Sequence, residues 1–248
     1  MFIKTYGTGE KSFIAFHGWS GDHRTFDPLV PYLPQNSLLY CFDLPGCGKS
    51  PLPGNWEAET LASMLADSIT SLGIKSFTFI GNCSGAILGL MVAKKMPDKF
   101  DRIVLVDPFA FMPWYFSIFL NKNFGRQAYM TTFANPIGRW ITNASLRHRR
   151  TEETDLTKSF EEVNHQTVYE YLQLLGKLGS AEQFRGLTQP IDLLYGENTF
   201  QSVKDSVNIW KKIFPQANSY ELHGAGHLPI EEATGQLANI LFGINKDK

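Results

Sequence analysis

The residues whose types and spacing suit chemistry stand together at Gly81-Asn82-Cys83-Ser84-Gly85. A short apolar, β-rich run, Phe77–Ile80, precedes them, and from Ala86 onward the composition is helical. A strand-to-helix turn with a glycine two residues away on each side of one residue lifts that side chain above a sheet. Here the lifted residue is Cys83. The partial positive charge of unpaired N–H groups at a helix start favours a thiolate, and a nearby imidazole favours it further. Ser84 is adjacent, but the glycine spacing singles out Cys83. The plainer alternative is an ordinary strand–helix turn with Cys83 as buried filler.

The elements that must position this turn follow from the rest of the chain. At 248 residues, with 43% apolar and 19% charged residues, the sequence describes an ordinary globular protein able to bury a large core. A formal net charge of -1 gives no electrostatic reason to expect nucleic acid or an anionic membrane as partner. The N-terminus lacks the apolar stretch of a signal peptide, and no apolar run reaches the roughly 18 residues that span a bilayer. Cys41, Cys47 and Cys83 show no C-x-x-C spacing, and their odd number argues against a disulfide framework. The expectation is a cytoplasmic protein without a structural zinc site or a cofactor.

Phe2–Tyr6 and Ser12–Phe16 are short β-rich runs separated by Gly7-Thr8-Gly9-Glu10, a hairpin-like opening. Leu38–Phe42 is a buried strand that runs into a Gly/Pro-rich loop, residues 43–50. Glu59–Leu72 has helical periodicity, and the helix after the turn runs to about Met96, where Pro97 stops it. Arg102–Val106 is a further strand, ended by Asp107-Pro108. From Phe109 to about Gly186 the text is rich in aromatics and carries no convincing strand. Alternation then resumes with a strand at Ile191–Tyr195, a helix at Val203–Phe214, a strand at Ser219–Leu222 and a helix from about Glu231 to Phe242. The pattern predicts an α/β architecture: a mostly parallel sheet with helices on both faces and a helical insertion.

Four segments, each at a predicted strand end, resemble the α/β-hydrolase fold family in the family's own order. His17-Gly18-Trp19 looks like its oxyanion loop, and Asp43–Ser50 (DLPGCGKS) like its D-x-x-G-x-G-x-S loop. GNCSG resembles the nucleophile elbow, and His223-Gly224-Ala225-Gly226-His227 the element that supplies the histidine. The resemblance implies a core made of residues 1–108 and 187–248, with a helical cap over residues 109–186. It implies Cys83 as nucleophile, His227 as base, and backbone N–H groups of Trp19 and Ser84 as the oxyanion hole. His17 would then be structural, and His223 would face outward.

The family's usual acid position, after the next-to-last strand in G-x-x-D, reads Gly196-Glu197-Asn198-Thr199 here. Thr199 cannot stabilise an imidazolium by charge. Some family members place the acid after the strand that follows the elbow helix, where Asp107 stands. Asp107 is therefore the working candidate, with Asn198 and Glu197 as alternatives, and capping of the following turn is the competing role for Asp107. Phe109, Phe111, Trp114, Tyr115, Phe116 and Phe119 either pack cap helices onto the core or line an apolar pocket. Arg147-His148-Arg149-Arg150 reads as a solvated helix end or as a phosphate contact to coenzyme A or a carrier-protein arm. Cys41 is read as strand core, and nothing marks Cys47 as catalytic.

The expected function is ester or thioester hydrolysis, or acyl transfer, through an acyl-Cys83 intermediate on a small apolar acyl substrate. The expected partner is that small molecule, with neither nucleic acid nor membrane. The alternative is a non-catalytic, ligand-binding or signalling member of the fold, kept open by Thr199.

Overall fold

The computed structural model describes residues 1–243; the last residues of the expected core, 244–248, lie outside them. Six strands, β1 (Ile3–Phe16), β2 (Asn36–Phe42), β3 (Phe77–Asn82), β4 (Phe100–Val106), β5 (Ile191–Gly196) and β6 (Asn218–Leu222), form one sheet. Its order is β2-β1-β3-β4-β5-β6. The strands inside it read as near-continuous apolar runs because helices cover both faces. Side chains alternate between those faces. Ile14, Phe16, Phe79 and Leu193 pack with Leu61, Leu65, Leu88 and Trp210. Phe13, Ala15, Ile80 and Val104 pack on the opposite face with Leu29, Leu237 and Leu241. The first face is covered by α1 (Ala58–Ser71), α2 (Ser84–Lys95) and the later helix that carries Trp210.

The opening departs from expectation. Phe2–Tyr6 and Ser12–Phe16 do not pair with each other as a hairpin; both flank β2. Lys11–Phe16 ascends alongside Ser37–Phe42, whereas Ile3 lies opposite Phe42 and Gly9 opposite Asn36, in descending order. Short β-rich runs around a glycine turn look the same in sequence whether they meet each other or enclose a third strand.

Between β4 and β5 there is no strand among the described residues. The segment holds α3 (Ser117–Leu120), α4 (Gly125–Tyr129), α5 (Pro136–Ser145) and α6 (His165–Leu175), with short 3-10 turns between them and a wider π-helical turn at Met130–Ala134. Its own core gathers Tyr129, Phe133, Phe160, Val168 and Leu172 around Trp19. After β5 comes α7 (Gln201–Ile213). The single C-terminal helix expected from Glu231 is two pieces, α8 (Pro229–Glu232) and α9 (Thr234–Phe242), broken at Ala233.

Candidate active site

Cys83 follows β3 directly and caps α2 with φ 49° and ψ -114°, a conformation that L-residues rarely adopt. Its N–H donates to Val106 O at 2.8 Å, so the turn is tied to the end of the neighbouring strand. The glycines are required by contact as much as by conformation. A Cβ at Gly85 would stand 2.3 Å from His17 O, and one at Gly81 would stand 2.5 Å from Ala86 Cα. Asp107, after β4, also has a positive φ of 47°, and its N–H donates to Leu194 O at 2.8 Å. Four non-glycine residues among those described carry positive φ, and two of them are Cys83 and Asp107. Such strain costs on the order of 1–3 kcal/mol each and persists where surrounding structure imposes it.

The structure brings Asp107 and His227 together. Asp107 is fully buried. Its Oδ2 lies 2.7 Å from His227 Nδ1, and its Oδ1 accepts from Gly196 N at 3.0 Å. Thr199 reaches the same point: its hydroxyl donates to Asp107 Oδ2 and lies 3.2 Å from His227 Nδ1. Both acid positions of the family thus converge on one ring nitrogen, one carrying a carboxylate and the other a hydroxyl. Asn198 and Glu197 go elsewhere. Asn198 N donates to Ala225 O, and the Glu197 carboxylate accepts from Gly224 N beside the exposed His223. Burial works against a charged His227 ring. The hydrogen bond and charge of Asp107, with those of Cys83, outweigh it and push the pKa up to about 10.

Sequence reasoning did not anticipate what holds the histidine loop. His227 N donates to Arg149 O at 2.7 Å. The Glu232 carboxylate accepts from Gly226 N at 2.6 Å and Leu228 N at 3.3 Å on one oxygen, and from Thr151 N and Thr154 Oγ1 on the other. Arg149 donates to Thr199 O at 2.9 Å, and Arg150 donates to Thr151 O. These two arginines of the basic run are therefore half-buried struts rather than a solvated end, while Arg147 and His148 are exposed. The only signal in sequence was an acidic residue shortly after the histidine.

The loops after β1 and β2 lock each other. His17, buried and with its pKa lowered by that burial, donates from Nδ1 to Gly18 O (2.8 Å) and accepts from Leu44 N at Nε2 (3.1 Å). Gly18 O also accepts from Gly21 N, which turns that carbonyl into the loop and frees the following Trp19 N–H to face the other way. Ser84 is the first residue of α2, so its N–H has no carbonyl one turn earlier to bond. Asp43 ties the loop after β2 to the one after β1, accepting from His23 N on one oxygen and from Lys49 N on the other. Cys41 and Cys47 are buried thiols, with the Cys47 pKa pushed up to about 12 by burial.

Cys83, Ser84 and Trp19 open into a cleft. Its walls include Phe109, Phe116, Leu172, Phe184 and Trp210, and no charged residue lines it. The Trp19 ring is also a pin: Nε1 donates to Val168 O, and Phe116, Phe133 and Phe160 pack edge-on against it. Of the aromatic cluster after Asp107, Phe109, Phe111 and Phe116 line the cleft, whereas Trp114 stands in solvent.

Residues 11–234 match the family model described as alpha/beta hydrolase fold, and the chain belongs to that family. Among curated relatives it is similar to strigolactone esterase D14 of Arabidopsis thaliana, 24% identical over 110 residues, 42% of this chain and 41% of that one. It is also similar to the Karrikin insensitive 2 receptor B of Petunia hybrida, 28% identical over 110 residues, 42% and 40% of the two chains. The match thus spans about two fifths of those relatives' length. In fold it resembles a thermophilic esterase from Thermogutta terrifontis, with a TM-score of 0.76 at 18% identity over 97% of this chain and 90% of that one.

Proposed function

We propose that this chain hydrolyses or transfers an acyl group through an acyl-Cys83 thioester, with residues 109–186 forming the cap over the site. The observation that carries this reading is a strained cysteine at the start of α2, beside a His227 joined to buried Asp107, on the wall of an uncharged cleft. In the first step Sγ forms a bond to the carbonyl carbon as its π electrons move to oxygen, the Cys83 proton being already held on His227 Nε2 by the raised pKa of that ring. The Trp19 and Ser84 N–H groups receive that oxyanion. The intermediate collapses by breaking the bond to the leaving oxygen or sulfur, which departs with the proton from His227. Water or an acceptor then attacks the thioester carbonyl, His227 takes its proton, and Cys83 leaves with the electron pair. Asp107 holds the ring by Nδ1 and stabilises the imidazolium throughout.

The cleft accepts the acyl part: an apolar chain or ring fits its walls, and a charged one would be stripped of water with no partner. Thioesters and activated esters suit it better than amides, because a thiolate leaves the intermediate more readily than an amine. A second reading, a ligand-binding member without turnover, is favoured by Thr199 and by a relative that carries the name of a receptor. Pre-steady-state release from an aryl ester and an apolar acyl thioester separates the two. A burst stoichiometric with enzyme, abolished in Cys83→Ala, is the expected result. Undiminished ligand affinity in Cys83→Ala, with no burst in the wild type, would select the second reading.

A further inference from the structure

α5 is amphipathic in the reverse sense. At 100° per residue Ile137, Trp140, Ile141 and Ala144 share one stripe, which in a globular helix faces the core. Here Trp140 is 72% exposed, Ile137 69% and Ile141 55%. Arg139, on another face, turns inward and donates to the carbonyls of Phe133 and Ala134. Trp114, 83% exposed, and the exposed Ile118 and Phe124 extend the same character into the preceding turns. Eight of the nine exposed large hydrophobic side chains among the described residues lie between Phe111 and Ile141.

The charge is segregated as well. Residues 109–150 hold six of the chain's 23 Lys and Arg and none of its 24 Asp and Glu. Lys122, Arg126 and Arg147 are exposed, whereas Arg149 and Arg150 are committed to main-chain carbonyls and Arg139 to carbonyls and to Glu161. A net charge of -1 averages this away. The acidic residues of the cap begin only at Glu152.

We propose that this face docks on an anionic lipid surface and that the cap draws its apolar ligand from there. A second copy of the same face would set cations against cations. A folded partner would have to supply a socket for each side chain, since Ile137, Trp140 and Ile141 project into solvent. Hydrocarbon conforms to side chains that project singly, and Trp with Lys or Arg is the pairing that sits at the headgroup boundary. No helix among the described residues is long and apolar enough to cross a membrane, so the contact is interfacial. Phe111 is both exposed and part of the cleft wall, so apolar surface runs there from the cleft to solvent.

The test is flotation of the full chain with vesicles of phosphatidylcholine alone and of phosphatidylcholine with phosphatidylglycerol. Binding is expected to the mixed vesicles, to weaken with salt, and to be slight on phosphatidylcholine. Trp140→Ser should lower partition about tenfold, and Arg147→Gln about fivefold. Cys83→Ala should bind as the wild type does, so the result stands apart from the fate of the acyl-cysteine reading. Equal partition of the wild type and an Ile137→Ser/Trp140→Ser double variant would overturn the proposal. So would capture by an acidic carrier protein with no vesicle binding, or a dimer mass that Trp140→Ser abolishes.

Discussion

The strand-end platform and the outward face of the cap treat the same residue types in opposite ways. On the platform every reactive or orienting group is held by named partners: Cys83 through Val106 O, Asp107 through Leu194 O, Gly196 N and Thr199, and His227 through Arg149 O. On the cap face, Trp140, Ile137 and Ile141 stand in solvent on a helix anchored by Arg139 and Asn143. Fixed geometry belongs to the region proposed to make and break bonds. Apolar exposure belongs to the region that would meet something outside the chain.

That contrast can be broken by substitution. Cys83→Ala should reduce turnover of an activated ester to background, a loss of at least about a thousandfold, with the fold intact by circular dichroism. Asp107→Asn should lower kcat by about 10³–10⁴ through loss of the imidazolium's partner. The same variant carries a pH signature. A histidine whose pKa is raised on folding stabilises the native state fully below its unfolded value near 6.5, and that contribution is lost as pH rises through about 10. The wild-type urea midpoint should therefore fall across that window, and in Asp107→Asn this component should shrink.

Smaller effects sharpen the comparison. Glu232→Gln leaves the carboxylate's shape but can no longer accept on both oxygens. It should cost about tenfold in kcat with little change in KM, because the histidine loop shifts while the cleft does not. Thr199→Asp would set a second carboxylate against Asp107, so one of the pair must bind a proton, and stability should fall most at high pH. Trp140→Ser should change stability by less than about 0.5 kcal/mol in chemical denaturation, as expected for a side chain that packs on nothing.

Much of the platform was legible because its signals are local. Apolar runs ending in Gly or Pro mark the strand ends, and the glycines around Cys83 mark the turn. Asp107 stood out because RIVLV ends on it. What stayed hidden is made by distant partners with no shared pattern, such as Glu232 with Thr151 and Arg149 with Thr199. Thr199 looked like a lost acid, and only its arrival beside Asp107 explains how a hydroxyl serves there. Helical periodicity in α5 reveals an apolar stripe but not which way it points, and net charge conceals where the charges lie.

The most direct measurement is intact-protein mass spectrometry, with peptide mapping, after mixing the chain with apolar aryl esters and acyl thioesters. The account predicts one acyl group on the peptide that contains Cys83, absent from Cys83→Ala and long-lived in Asp107→Asn. Turnover that proceeds with Cys83 replaced, or an acyl group mapped to Ser84, would contradict it.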